Sequence, residues 1–444
     1  MDRRWALLAM ALGFGVVQLD VTAVNVAIRP ITAGFGGSVD GGQWVVNAYS
    51  LALASLLLSA GVLGDRVGAK RVFVAGFGLF TLASAACGLA PTLGVLIGAR
   101  AVQGIGAAML IPCSLTLLHH TYPNAVERGR AVGLWAACAS IALSAGPLIG
   151  GVLIQVLDWR GIFYINAPLG LLGILLTLRY AAETPRTPRP LDFPGQALAI
   201  VALAALAAAL IAGGRDGFAN PLVISGLAVA SLGVLAFGWV EARSREPMLP
   251  LDLFRTRTFA ATVSIGLMIN IAFYGLIFVL SLYFQSVRGY SVLATGAAFA
   301  PTTAGIFAGN LLAGRFVRQA GPRLVLTTSA ILTSVSLAAL LGIGASTGYV
   351  TILGPLITLG FGLGVLVPSM TSALLGSVET TRSGLASGAL NTARQTGSVI
   401  GVALFGALAN GDLIDGLRLS LMVSIALAVL TVAVSRAVAS ETDD

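Results

Sequence analysis

The sequence predicts an all-α integral membrane protein with fourteen transmembrane helices, arranged as two six-helix bundles plus an inserted pair. Three observations carry that prediction. First, 10% of the 444 residues are charged against 57% hydrophobic and mean hydropathy is +0.93, whereas soluble domains carry about 25% charged residues. Second, the apolar residues fall in near-continuous runs as long as a bilayer is thick, which points to helices and away from the short alternating strands of a β-barrel. Third, Arg and Lys gather in alternate loops.

Taken in order, the runs lie near 5–28, 44–64, 72–90, 93–117, 131–155, 161–180, 195–213, 221–240, 258–283, 292–314, 323–344, 348–370, 384–408 and 417–437. With the N-terminus inside, nineteen of the 26 Lys and Arg fall on inner loops. Five (Arg29, Arg160, Arg215, Arg288, Arg418) fall on outer loops, and Arg100 and Arg394 lie within spans. That bias predicts an even number of spans with both termini cytoplasmic. Met1-Asp2-Arg3-Arg4 and the apolar run behind it have the layout of a signal peptide, but Asp20 interrupts the run and no clean cleavage site follows. An uncleaved first helix is expected.

Polar stretches at 183–193 and 241–257 bracket spans seven and eight, an Ala/Leu-rich pair expected to face lipid. The expected domains are 1–182 (six helices), 183–257 (linker with two extra helices) and 258–444 (six helices), a layout of two related halves with an insert. Residues 61–71 read Gly-Val-Leu-Gly-Asp-Arg-Val-Gly-Ala-Lys-Arg, a glycine-rich basic loop between spans two and three. Its Gly61…Gly68 frame recurs as Gly314…Gly321 between spans ten and eleven, with Arg318 where the first copy has Asp65. An internal repeat is implied.

Asp20 is the acid expected inside the hydrocarbon, where a carboxylate is costly and marks function. It lies about 12 Å from the outer end of its span and Arg100 about 10 Å from the outer end of span four, at about 1.5 Å per residue. If those spans adjoin, the two can pair. Burial disfavours the charged carboxylate and a guanidinium favours it, so movement of either binds or releases a proton. The other reading is helix glue, with Asp20 satisfied by Gln18 or Asn25. Gly146-Pro147 and Gly150-Gly151 in span five predict a bend or a close helix contact. Cys87, Cys113 and Cys138 fall in apolar runs and are expected as buried thiols, not disulfides or metal ligands; no metal site is expected. His119-His120 reads as a solvated helix end. No nucleotide-binding G-x-x-x-x-G-K-[ST] motif is present, and the net charge of +8 belongs to the inner loops rather than to nucleic-acid binding.

Several motifs stand in one order: Leu19-Asp20-Val21-Thr22-Ala23-Val24-Asn25-Val26-Ala27, residues 61–71, Arg100-Ala101-Val102-Gln103-Gly104-Ile105-Gly106, Gly146-Pro147 with Gly150-Gly151, the run Asp158-Trp159-Arg160-Gly161 through Asn166-Ala167-Pro168, and 384–397 with Asn391, Arg394 and Gln395. The ordered set resembles the major facilitator superfamily, in its fourteen-span drug:proton antiporter branch, over essentially the whole chain. The resemblance implies proton coupling at Asp20 and Arg100. It also implies a cytoplasmic latch of Gly61, Asp65, Arg66 and Gly68 with Arg128 or Arg130, and an exporter-type fifth helix shaped by Gly146, Pro147, Gly150 and Gly151. One departure is Ile28-Arg29-Pro30, which places an Arg at the outer rim where the branch runs into Leu-Pro.

Polar or aromatic residues expected to face a central cavity are Gln43, Trp44, Asn47 and Tyr49, then Asn270 and Tyr274, then Asn391 and Arg394. An apolar cavity with one acid and two arginines suits amphipathic, lipophilic molecules better than sugars. The expected function is a proton-coupled exporter of drugs or antibiotics in the inner (plasma) membrane, monomeric and driven by the proton gradient without a cofactor. Two alternatives stand beside it: a proton symporter importing a small metabolite, and an intramembrane enzyme or receptor, for which no converging set of catalytic groups is present.

Overall fold

The computed structural model describes residues 3–36, 39–186, 192–244, 247, 249, 251–379 and 382–439, apart from the side chains at 125, 126, 129, 144, 383 and 384. Met1-Asp2, residues 187–191 of the first polar stretch, and 245, 246, 248 and 250 of the second lie outside it. Helices account for the architecture, and no strand occurs among the described residues. Residues 1–200 and 201–444 form two compact units.

The first unit holds α1 (Arg3–Gly34), α2 (Val39–Val67), α3 (Ala69–Gly88), α4 (Leu93–Thr121), α5 (Ala125–Leu157), the single turn α6 (Gly161–Tyr164), α7 (Asn166–Tyr180) and the start of α8 (Phe193–Asp216). α1 packs along α5, and α4 along both α2 and α3. α1 is therefore buried over most of its length, including Gln18, Asp20, Thr22 and Asn25. Gln196, at the start of the expected insert, donates from Nε2 to the Ser55 carbonyl at 2.7 Å and accepts from the Ser59 hydroxyl. That end of the insert is anchored to protein as well as facing lipid.

The second unit holds α9 (Pro221–Arg243), α10 (Arg257–Leu282, closed by a π turn over Tyr283–Val287), α11 (Val292–Ala339), α12 (Tyr349–Gly376), α13 (Ser383–Leu408) and α14 (Leu413–Ser435). α11 packs along α12 and α10 along α13. α11 is two helices joined at Gly321, whose φ of 74° is non-helical. Asn410 donates to the Gly214 carbonyl at 3.1 Å, which seats the end of α8.

Eleven helices among the described residues are long and apolar enough to cross a membrane, or twelve counting the two arms of α5 as one span. The break in α11 divides one of them in two. α13, whose run is interrupted by Asn391, Arg394 and Gln395, supplies the remaining expected segment, so every expected span coincides with a helix. Gly68 and Gly321, the second glycines of the repeated frame, both have positive φ, 108° and 74°. A side chain there is strained by roughly 1–3 kcal/mol. The frame repeats in backbone conformation as well as in letters. One expectation needs correction: Cys87 and Cys113 are buried, but Cys138 is exposed, because it lies on an outward face of α5 that the apolar run alone does not distinguish.

Candidate functional site

Five helices of the first unit converge on Asp20. Arg100 Nη1 donates to its Oδ2 at 2.5 Å, and Oδ1 accepts from Gln103 Nε2 at 2.9 Å and Asn166 Nδ2 at 3.1 Å. Arg100 and Gln103 sit three residues apart on one face of α4, and Arg100 Nη1 also donates to Gln103 Oε1 at 2.7 Å. Its Nε donates to the Val45 carbonyl of α2 at 3.1 Å. The guanidinium carbon lies 4.2 Å above the Tyr49 ring, a placement that the ring's negative face favours.

Ser84 on α3 completes the set. Its hydroxyl accepts from Gln103 at 3.2 Å and from Asn166 at 3.0 Å, and donates to the Phe163 carbonyl at 2.9 Å. Asp20 and Arg100 are 2% and 1% exposed, and Gln103, Ser84 and Asn166 are 0% exposed. This is a buried ion pair whose two carboxylate oxygens are both hydrogen-bonded, a condition under which burial of two charges is tolerated; the Asn166 Oδ1 beside it has no partner among the described residues. The partners of Asp20 are therefore not Gln18 or Asn25. Gln103 and Asn166 carry the site although their roles were not read from the sequence. Both stand inside quoted motifs, three residues after Arg100 and eight after Asp158, but nothing in spacing alone directs Asn166 at span one.

Beside the pair, α5 presses on α1. A Cβ at Gly146 would lie 1.9 Å from Thr22 Oγ1, and one at Gly150 3.1 Å from the Ala23 carbonyl oxygen. Pro147 has no N–H for the Leu143 carbonyl, four residues back. The Thr22 hydroxyl donates to that carbonyl at 2.9 Å. α5 bends by 42° at this point, between arms Arg130–Leu143 and Ala145–Leu157, as a missing helix bond allows.

Residues 10–402 match the Major Facilitator Superfamily. The chain belongs to that superfamily. Among similar proteins, Multidrug resistance protein Stp of Mycobacterium tuberculosis is 37% identical over 90% of this chain and 75% of its own length. The Methylenomycin A resistance protein of Streptomyces coelicolor is 37% identical over 90% of this chain and 84% of its own. Drug efflux pump JefA of Mycobacterium tuberculosis is 34% identical over 91% and 80%. The fold matches the crystal structure of a bacterial homologue of the human lysosomal transporter Spinster, with a TM-score of 0.71 at 17% identity, over 98% of this chain and 97% of that one. The chain is thus a multi-pass membrane protein of a transporter family rather than of an enzyme family.

The glycine-rich basic loop at 61–71 is tied to residues 178–184 of the same unit. Ala69 N–H donates to Thr184 Oγ1 at 2.8 Å and Lys70 Nζ to the Leu178 carbonyl at 3.1 Å. A Cβ at Gly68 would lie 3.7 Å from Glu183 Oε2, and one at Gly64 2.8 Å from Cys113 Sγ. Residues 178–184 were not expected here; they follow in sequence only after four more helices. Arg128 Nη1 donates to the Pro123 carbonyl at 3.2 Å, and Arg130 is exposed.

Of the expected cavity residues in the first unit, Trp44 is half-buried, Tyr49 lies under Arg100, and Asn47 is fully buried with neither amide atom bonded among the described residues. In the second unit, Asn270 and Tyr274 are buried on α10, while Asn391 and Arg394 are half-buried on α13. Asn270 and Asn391 each donate one turn back, to Gly266 and Ser387 carbonyls at 2.8 and 3.0 Å.

Proposed function

We propose that the protein is a proton-coupled exporter of amphipathic, lipophilic small molecules, drugs or antibiotics among them, working by alternating access. The observation that carries this reading is the buried Asp20–Arg100 pair, held by Gln103 and Asn166. The names of the relatives, which speak of multidrug resistance, methylenomycin A resistance and drug efflux, favour export over import.

A proton arriving at Asp20 cancels the charge that holds Arg100. The guanidinium keeps its bonds to Gln103 Oε1 and the Val45 carbonyl, and the neutral acid still accepts from Asn166. The pair therefore loosens, and the buried guanidinium is left without its counter-charge, so protonation biases the conformation. The energy source is the proton gradient, with no cofactor. The protein acts as a monomer in the plasma (inner) membrane with both termini cytoplasmic, and has no nucleic-acid partner. The organisation is six, two and six helices over 1–182, 183–257 and 258–444. Gly61, Asp65, Arg66, Gly68, Arg128 and Arg130 form the cytoplasmic latch.

The test is transport in sealed vesicles under an imposed pH gradient, screened over dyes and antibiotics. Efflux that dissipates the gradient, and fails in Asp20→Asn, is expected. Undiminished gradient-driven exchange by Asp20→Asn would overturn the coupling role, and uptake in the direction of the proton would make the protein a symporter.

A further inference from the structure

The second intramembrane arginine has no counter-ion among the described residues. Arg394 stands near the middle of α13, and its Nε is buried with no hydrogen-bond partner among the described residues. The acids described in that unit (Asp216, Glu241, Asp252, Glu379, Asp412 and Asp415) sit at helix ends or in loops. Tyr274 lies two turns along α10 from Gly266, on the same helix face, and interacts electrostatically with Arg394. Arg100, the other spanning arginine, is the opposite case, with a carboxylate, an amide and a backbone carbonyl all in place.

The seat of Arg394 is nonetheless built. A Cβ at Gly266 would lie 3.3 Å from Arg394 Cγ, so that glycine leaves the room in which the side-chain stem lies. Gly397 and Gly401 draw α13 onto α10: a Cβ at each would lie 2.4 and 2.3 Å from the Leu267 and Ile271 carbonyl oxygens. This fixes Arg394 beside the Tyr274 face of α10. Asn270 and Asn391 donate to the carbonyls of their own helices, and neither amide oxygen accepts from Arg394 Nε, which has no partner among the described residues. A half-buried arginine at membrane depth, its Nε buried without an acceptor, is the kind of intramembrane charge that marks a ligand pathway, and an anion that joins it supplies the missing acceptor.

We infer that Arg394, with Tyr274 beside it, is the binding group for an anionic oxygen of the transported molecule, a carboxylate, sulfonate or phenolate on an otherwise apolar body. The inference rests on the export reading for its physiological meaning, but the site itself is tested without transport. A guanidinium presents parallel N–H donors to such a group, and the phenol adds an O–H donor.

The probes are pyrenesulfonate and (pyrenylmethyl)trimethylammonium, which share one aromatic body and differ in charge. Equilibrium binding is measured on the full chain in nanodiscs, corrected for empty nanodiscs. The wild type is expected to bind the sulfonate at least about tenfold more tightly, as one charge-assisted hydrogen bond supplies. Arg394→Gln is expected to bring the two affinities together, Arg394→Lys to keep part of the preference, and Tyr274→Phe to weaken the sulfonate alone. A wild type that prefers the cation, or an Arg394→Gln protein with unfolding temperature unchanged and preference intact, overturns the inference. If Arg394→Gln does not fold, the wild-type preference and its reduction in Arg394→Lys decide. An Arg394-dependent preference without gradient-driven efflux would sink the export reading and leave the anion site standing; efflux with no such preference would do the reverse.

Discussion

The Thr22 hydroxyl hydrogen-bonds the Leu143 carbonyl at 2.9 Å, the acceptor that Pro147 leaves without its helical partner. Thr22 lies two residues from Asp20, so a kink in α5 and an ion pair in the membrane interior share one segment of α1. If the hydroxyl stands in for the missing N–H, its value depends on the proline. Thr22→Val should destabilise the protein by about 1 kcal/mol, within the range of interhelical hydrogen bonds in membranes, and Thr22→Ser should not. In a Pro147→Ala background the same Thr22→Val change should cost less, because Leu143 regains its own helix bond. A double-mutant cycle read by thermal unfolding measures that coupling; additive effects would refute it.

The Asp20–Arg100 pair makes a second prediction, on stability rather than transport. Arg100→Ala removes one charge from a site where both ions are at most 2% exposed, leaving the carboxylate uncompensated. The expected cost is about 3–5 kcal/mol. Adding Asp20→Asn to Arg100→Ala should recover part of that loss, since it removes the stranded charge, while leaving transport abolished. A double mutant no more stable than the single would mean that packing, not charge, dominates at Arg100.

Much of this arrangement was legible in the sequence, for reasons that also explain the gaps. Span lengths and loop arginines report on the bilayer, which acts on every helix alike, so the helices could be placed in order. The depth of Asp20 and Arg100 followed from helical rise. Asn166 and Ser84 were not legible, because which polar side chain meets which depends on helix contacts distant in sequence. The tie of Ala69 to Thr184 spans a similar distance. Gly68 and Gly321 sit between these cases: the letters showed the repeat, and the backbone gave the reason for it in a positive φ.

The two kinds of glycine in the helices should respond oppositely to substitution. Gly146 meets Thr22 Oγ1 at 1.9 Å and the Leu19 carbonyl oxygen at 3.0 Å from an added Cβ, so Gly146→Ala must push α1 and α5 apart. A loss of about 1–3 kcal/mol is expected, as for overpacked cores. Gly78 on α3 has nothing within 4 Å of an added Cβ. Gly78→Ala should be neutral or stabilising by up to about 1 kcal/mol through helix propensity. Thermal unfolding of the two variants side by side checks the contrast, and a larger loss at Gly78 would contradict it.

Outside the membrane, Arg382 donates to Asp252 within the second unit, and that bond, followed by the charge of Arg382, holds the Asp252 carboxyl below its ordinary value of 3.8. The sign follows from linkage: a carboxylate with a lowered folded-state pKa adds stability that is fully present above the unfolded value and fades as pH falls through the folded one. Asp252→Asn should therefore lower the unfolding temperature slightly at pH 7. The difference between variant and wild type should shrink as pH drops below about 4, and shrink again at high salt because both groups are exposed. Unfolding temperatures measured from pH 7 to pH 3 in low and high salt provide the check. A difference that grows toward acid would show that Asp252 is stabilised by something other than its arginine.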